Sequence, residues 1–424
     1  VQVNTTDFRQ TDTWDVIVVG AGAAGLFAAG TAAARGRRTL LLEKNVKLGV
    51  KILMSGGTRC NITHDTDWRG IADAFGSVQA RFLKFALASF PPEQVIEFFE
   101  SRGVPTKVEP GGKVFPVSNR AIDVRDALVN FASDSGALIR NRSAVTRIIS
   151  NPTGFQVHAG QTIHESASLI VASGGQSYPD CGTSGDGYAW LRDLGHRIVV
   201  PRPALTPLRI AENWVRNLSG VSVDDVQLTV GPTASQPNPS DRVKFRGALL
   251  FTHAGISGPA AMNASRALND PKHPQAKEVI CEFLPTLKEQ QFLADLHKAS
   301  NAQGASTTLR FLAPQLPKRL VESLCNQHNV LPSRRLAELS RSELSRLAQG
   351  IKRCKLTVAG TLGFKKAEVT AGGAALENVH SKSMESRLVP RLFLAGEILD
   401  IDGPIGGYNF QAAFCTGKLA GEHA

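Results

Sequence analysis

Four apolar residues, Val16–Val19, run into Gly20, Gly22 and Gly25, and an alanine-rich segment follows at once (VIVVGAGAAGLFAAG). This is the strand–turn–helix pattern that receives a dinucleotide pyrophosphate. Gly20 permits the tight turn, Gly22 lets the backbone approach the phosphates, and Gly25 lets the helix pack close to the strand. The helix start at Ala23 and Ala24 then favours phosphate charge. The next strand pattern, TLLLE, ends at Glu43, 23 residues beyond Gly20. An acid at that place accepts hydrogen bonds from a ribose and repels a 2′-phosphate.

The far end of the sequence chooses between dinucleotides. A nicotinamide domain needs nothing from it, whereas a flavin domain of the glutathione-reductase type needs a late strand, an acidic glycine turn and a final helix aimed at the flavin. LFLAGEILDIDGPIGGYNFQAAF supplies those parts in order. Gly396–Glu397 lies at the strand end, Gly406–Gly407 allows close backbone approach, and Tyr408, Asn409 and Gln411 open a helix. Amide donors there would stabilise negative charge at the flavin N1–C2 carbonyl edge. SLIVASGGQS reads as the middle strand of such a domain, with Gly174 in its turn, and AVTRIIS as a further strand that begins near Val145. The expected cofactor is therefore FAD, with NAD(P)H as a candidate reductant; no second glycine fingerprint after a strand marks a nicotinamide site.

Between the two ends the pattern changes. PRPALTPLRI reads as a crossing into another domain, and VQLTVG, RVKFRGALLF and EVICEFLP alternate as short antiparallel strands. Leucines at three- and four-residue spacing then mark helices, and KLTVAG and AEVTAGG return to strand patterning. The expected fold class is α/β: a two-dinucleotide-binding-type FAD domain, glutathione-reductase-like, with an inserted β-barrel that itself carries a helical insert. The expected boundaries are 1–200 and 373–424 for the FAD domain, 201–285 and 351–372 for the barrel, and 286–350 for the helices.

Longer stretches resemble a known family. They are LLEKNVKLGVKILMSGGTRCNIT, GGKVFPVSNRAIDV, SGGQSYPDCGTSGDGYAW, PALTPL, LLFTHAGISGPAAMNASR, AEVTAGG and SMESRLVPRLFLAGEILDIDGPIGGYNFQAA. Together they resemble, from Trp14 to His423, the bacterial NAD(P)/FAD-dependent oxidoreductase family, also called aminoacetone-oxidase-family flavoproteins, which includes proteins similar to bile-acid ketosteroid reductases. The resemblance implies the same domain plan. It also implies FAD contacts at Gly20 to Gly25, Glu43, Lys44, Ser55, Gly56, Gly57, Arg59, Cys60, Asn61, Gly396, Glu397 and Gly406 to Gln411; Val145 and Gly174 complete the expected set. Three residues depart from the family pattern: Thr58 replaces a usual glycine, Cys181 a usual threonine, and Ser383 a common threonine.

Other residues invite roles. His253 in FTHAGISGP and Tyr178 beside a glycine turn are the candidate proton donors. Cys60 has no partner four or five residues away and reads as a packed thiol. Lys47 and Lys51 are loop cations that could hold phosphate or substrate charge. The six cysteines are scattered, the nearest two being Cys325 and Cys354, so neither a metal motif nor a redox pair is expected. Such usage suits a reducing cytoplasm. No apolar run is long enough to cross a bilayer, and the polar start lacks the apolar centre of a signal peptide.

The formal charge is +11, and Leu309–Lys355 alone holds ten Lys and Arg against three Glu. That stretch reads first as a solvated helical face and second as a patch for nucleic acid or another polyanion. Three functions compete: an FAD-dependent oxidoreductase acting on a small conjugated ketone or amine, a flavoprotein that binds RNA or another polyanion, and a redox-responsive binding protein without turnover. The first is favoured, with a small-molecule substrate and no membrane partner.

Overall fold

The computed structural model describes residues 13–231, 242–270, 278–302 and 306–424. The reading of the polar start falls largely on residues 1–12, outside them. The chain divides into two compact units. One comprises the residues up to Arg202 together with Glu368–Ala424, and the other is Pro203–Ala367.

The first unit is built on a seven-stranded sheet. Its strands run in the order Leu138–Arg140, Thr39–Leu42, Thr13–Val19, Thr162–Val171, Gly154–Ala159, Val145–Asn151. Leu392–Leu394 pairs with Thr162–Val171 as well, at Leu169, Ile170 and Val171, beyond the stretch that Gly154–Ala159 occupies. Val16, Ile17 and Val18 are fully buried, so both faces of this strand are covered and no polar side remains for alternation. The register sets Val19 beside Leu42 and Val171, and Val171 beside Leu394. Four parallel strands therefore end level, and their carboxyl edge is where α/β sheets bind ligands.

Two helices meet across the sheet end. Ala23–Ala34 is rich in alanine and glycine, and Tyr408–His423 approaches it backbone to backbone. A Cβ on Gly417 would stand 2.3 Å from the Ala24 carbonyl oxygen, and one on Gly421 2.5 Å from that of Ala28. Arg35 ties this contact from the side, donating to the carbonyls of Gly421 and Ala424. Elsewhere in the unit, Val369–Ala374 pairs with Ile198–Ala204. Of the two strand patterns expected in the barrel over 351–372, only KLTVAG lies in it, in a strand that ends at Thr361; AEVTAGG supplies this other pairing instead.

The second unit is a closed antiparallel barrel. Its strands follow one another as Leu208–Ile210, Gly255–Ser257, Val243–Thr252, Ser222–Val230, Glu278–Glu282 and Cys354–Thr361. Alternation directs Val226, Leu228, Val230, Val279, Cys281 and Leu356 inward. The helices Glu289–Ala302, Thr308–Leu312, Lys318–Gln327 and Arg341–Lys352 leave and re-enter between two neighbouring strands. Buried Lys352 fastens the re-entry, pairing with Glu282 at 2.5 Å and donating to the carbonyls of Leu284 and Leu287.

Candidate active site

Each element of the expected FAD site lies in the first unit. Gly20 has φ +103°, and its N–H donates to the Leu42 carbonyl at 2.8 Å. A Cβ on Gly25 would lie 1.8 Å from the Gly20 carbonyl oxygen, so helix and turn touch only because residue 25 has no side chain. Gly22 differs: a Cβ there would meet nothing within 4 Å. That open space faces the helix start, where the N–H groups of Ala23, Ala24 and Gly25 have no acceptor among the described residues. A cradle a methyl group would intrude upon, lined by free donors, fits a pyrophosphate.

Glu43 closes one side. It is buried, and its two carboxylate oxygens accept from the N–H groups of Ala21 and Asn45, each at 2.8 Å. These bonds fix the carboxylate at the strand end while leaving it lone pairs for a ribose. Lys44 is committed elsewhere, to Asp186 and Ser184 at 2.5 Å.

The loop from Ser55 to Asn61 winds through left-handed backbone at Gly56, Gly57, Thr58 and Cys60, with φ between 55° and 69°. Thr58 adopts it in spite of its branched side chain, and its carbonyl accepts from Ala121 N–H at 2.9 Å. Arg59 leaves the loop for the neighbouring hairpin, making a forked pair with Glu109 and lying over the Phe115 ring at 4.0 Å. Cys60 is fully buried, and burial pushes its thiol up to about 12 against a smaller opposing hydrogen bond to Ser55. With its amide turned to satisfy both ends, Asn61 accepts from Gly407 N–H and donates to the carbonyls of Thr63 and Val114.

That bond reaches the start of the final helix. Gly407 has φ +92°, and a Cβ on it would strike the Thr63 backbone at 2.4 Å. The Asn409 side chain closes the preceding loop onto Gly403 and Pro404. Gln411 is fully buried between the Thr63 hydroxyl and the Phe90 carbonyl. Both side chains therefore brace the turn. The donors that remain are backbone: the N–H groups of Tyr408, Asn409 and Phe410 have no acceptor among the described residues. The Tyr408 ring stacks on His64 with centroids 4.8 Å apart, and burial raises its phenol.

Glu397 sits at the hub of a third cluster. One carboxylate oxygen accepts from Thr370 N–H and the Ser177 hydroxyl, at 2.9 and 2.8 Å, and the other meets Lys51 Nζ at 2.5 Å. Lys51 also donates to Ser177, and the Thr370 hydroxyl accepts from the N–H groups of Gln176 and Ser177. Gly175 makes room for this: a Cβ there would lie 2.3 Å from the Thr370 hydroxyl. Ser177 and Thr370 are absent from the sequence reading. The available signal is a lone hydroxyl in the wholly buried strand Val369–Ala374.

Residues 14–423 match the HI0933-like protein Rossmann domain. The chain belongs to the HI0933-like family. It is 33% identical over 406 residues to the ribosomal RNA dihydrouridine synthase of Escherichia coli strain K12, covering 95% of this chain and 96% of that one. It is 30% identical over 412 residues to the 3-dehydro-bile acid delta(4,6)-reductase of Clostridium scindens, covering 96% and 98%. Among solved structures, a quinol fumarate reductase FrdA from E. coli superposes with a TM-score of 0.50 at 16% identity, over 97% of this chain and 70% of that one, a likeness of fold alone. This HI0933-like chain is an FAD-dependent oxidoreductase with a Rossmann-type FAD domain.

The remaining expected residues of the HI0933-like chain fall in varied settings. Gly174 has φ +74° in the turn leading to Ser177, and Val145 is buried where its strand begins opposite Ala159. Tyr178 is half-buried with φ +53°, its phenol raised by burial and then by Glu368 and Cys181. His253 belongs to the second unit, exposed at the turn between Val243–Thr252 and Gly255–Ser257. No group of three or more metal-ligating side chains occurs among the described residues, and no described helix is long and apolar enough to cross a membrane.

Proposed function

We propose that this chain reduces a carbon–carbon double bond conjugated to a carbonyl. The observation that carries this reading is the chemistry shared by two relatives of different substrate, each matched over nearly its whole length. Forming dihydrouridine saturates the uracil C5=C6 bond beside the C4 carbonyl. A delta(4,6)-reductase acting on a 3-oxo steroid acts on bonds conjugated to that ketone. Saturating such a bond adds a hydride at one of its carbons and a proton at the other, with reduced nicotinamide as the candidate electron source.

Bound FAD supplies the two-electron chemistry. The chain's own residues divide the other tasks. Free N–H groups at Ala23 to Gly25 would hold the cofactor's phosphate, Glu43 its ribose hydroxyls, and the N–H groups of Tyr408 to Phe410 would favour negative charge at the isoalloxazine edge. Tyr178, half-buried in the turn that leads from Gly174, is one candidate for the proton given to carbon; burial raises its phenol, so that proton is present at neutral pH but held more tightly than usual. His253 is the second candidate for that proton.

The test is an anaerobic assay of the FAD-loaded protein with NADH or NADPH, offering a 4,6-dien-3-one steroid and a uridine-containing RNA in separate reactions. The expected result is saturation of one of them, detected by mass as a gain of two hydrogens. Tyr178→Phe should slow turnover by roughly 10²–10⁴-fold if its proton is the one used, with FAD affinity unchanged. Flavin that is reduced by nicotinamide yet saturates neither compound would remove the reading.

A further inference from the structure

The charge of this protein is segregated by unit. Pro203–Ala367 holds 22 Lys and Arg against 12 Asp and Glu, a net of +10, whereas the rest of the chain holds 26 against 25, a net of +1. The flavin-binding unit is thus near neutral, and almost the whole excess lies on the other.

Five of the twelve acids of the second unit are taken up in ion pairs among its described residues. Glu282 pairs with Lys352, Glu289 with Arg353, and Asp225 with Arg246. Glu343 is held at about 2 by the Ser340 N–H and hydroxyl and by Arg334. Many cations have no such partner. In the helical segment Lys288, Lys298, Arg310, Arg335, Arg341 and Arg346 are all exposed, and no carboxylate among the described residues pairs with them. Two of them share the outer side of Arg341–Lys352. That helix turns Leu344, Leu347, Ala348 and Ile351 inward and leaves Arg341, Ser342, Arg346 and Gln349 outward, a polar face without an acid. The segments bearing Arg310 and Arg335 are laced together, with Thr307 bridged to Arg335 and Thr308 N–H bonded to the Arg334 carbonyl.

We propose that the helical segment of the second unit is an RNA-docking surface, with Arg310, Arg335, Arg341 and Arg346 as phosphate contacts. A run of uncompensated cations is complementary to a polyanion, and arginine is the side chain whose planar fork matches phosphate oxygens two at a time. Serine and glutamine beside Arg346 add neutral donors of the kind that contact phosphate and sugar. An anionic bilayer is the other polyanion of this size. It would call for apolar side chains projecting among the cations. Leu331 is the single large apolar residue strongly exposed among the described residues of this segment. The proposal rests on the reductase reading and deepens it, since it makes the conjugated bond that of a uracil within RNA.

The experiment titrates full-length, FAD-loaded protein into a fluorescein-labelled uridine-rich RNA hairpin at a series of KCl concentrations spanning about 50–200 mM. Vesicles of phosphatidylglycerol serve as the competing polyanion. The expected result is RNA binding that weakens steeply with salt, and a smaller salt slope when all four arginines become serine. With each neutralised phosphate contributing about 0.7–0.9 to that slope, it should fall by roughly three. The four-fold lysine replacement should retain most of the slope, and both variants are checked for wild-type FAD content and melting. If the serine variant fails to fold, Arg341→Ser and Arg346→Ser singly should each lower the slope by somewhat less than about one. A slope unchanged by these substitutions, or vesicles that compete as well as unlabelled RNA, overturns the proposal. The two readings fail separately: tight, arginine-dependent RNA binding with neither the RNA nor the steroid saturated upholds docking and removes the reductase reading, whereas saturation of the steroid with no RNA affinity does the reverse.

Discussion

Lys51 Nζ lies 2.5 Å from Glu397 Oε2, and Ser177 Oγ touches both residues, at 2.6 Å from the ammonium and 2.8 Å from the other carboxylate oxygen. Three segments far apart in sequence are joined there: the short helix Val50–Met54, the glycine turn after Thr162–Val171, and the turn after Leu392–Leu394. The ion pair is mostly buried, with side chains 25% and 20% exposed. Removing one partner leaves the other charge with only part of its compensation. Lys51→Met and Glu397→Gln should each destabilise the first unit, and the double variant should cost less than their sum, with a coupling of about 0.5–3 kcal/mol. Urea denaturation of the four proteins measures it. Additive losses would show that the ion pair carries no stability of its own.

Glu43→Ala should weaken FAD binding. A hydrogen bond from a hydroxyl to a charged group is worth roughly 1.5–3 kcal/mol, or about 10- to 150-fold in affinity. Fluorescence titration of the apoprotein reads the change directly. An unchanged dissociation constant would mean that the carboxylate serves only the Ala21 and Asn45 amides it already holds.

Thr58→Gly should stabilise the protein. A side chain in left-handed backbone costs roughly 1–2 kcal/mol, more so when branched, and glycine gives back about 0.4–1 kcal/mol of that through the freedom of the unfolded chain. A net gain of about 0.5–1 kcal/mol remains, visible as a higher thermal midpoint. A lower midpoint would show that the threonine side chain offsets its strained backbone through contacts of its own.

Stability should fall on mild acidification, and His196 should account for part of the fall. Ser386 Oγ accepts from the N–H groups of Leu388 and Val389, so its own proton is directed to His196 Nε2, 2.9 Å away. Burial lowers the His196 pKa below its ordinary 6.5. The unfolded chain then binds a proton that the folded one refuses. The stabilisation is fully present above the unfolded value and is lost as pH falls through the folded one. Thermal melts on either side of the ordinary histidine value, at about pH 7.5 and about pH 5.5, should show a smaller drop for His196→Gln than for the parent. Equal drops would place the acid sensitivity elsewhere.

The parts of the site that depend on backbone shape were legible in the sequence. Glycine is the only residue that fits where Gly25 meets Gly20 or where Gly407 meets Thr63, so its spacing encodes those contacts. Side-chain commitments are not encoded in that way. Asn409 and Gln411 read as donors toward a flavin, yet their amides close onto Gly403 and onto Thr63 and Phe90. Nothing local to YNFQ reveals that Gln411 has partners more than three hundred residues away. Cysteine spacing does not reveal neighbours in space either. Cys281 and Cys354 are distant in sequence but stand opposite each other on adjacent strands, because the whole helical segment loops out between them, and no disulfide joins them. Ser177 and Thr370 escaped notice because a hydroxyl beside a glycine turn has no pattern until the strand bearing its partner is in place.

The close approach of Gly417 to Ala24 and of Gly421 to Ala28 has a consequence for synthesis. A ribosome delivers the phosphate turn at Gly20 early and the helix that packs on it very late, after the whole of Pro203–Ala367 has emerged. Domains ordinarily fold as they appear, but here the sheet begun by Thr13–Val19 stays unfinished until Leu392–Leu394 can pair with Thr162–Val171. A ligand stabilises only the folded state it can bind. FAD should accordingly be taken up after translation and not during it, so that the cofactor marks finished molecules and leaves interrupted ones to proteolysis.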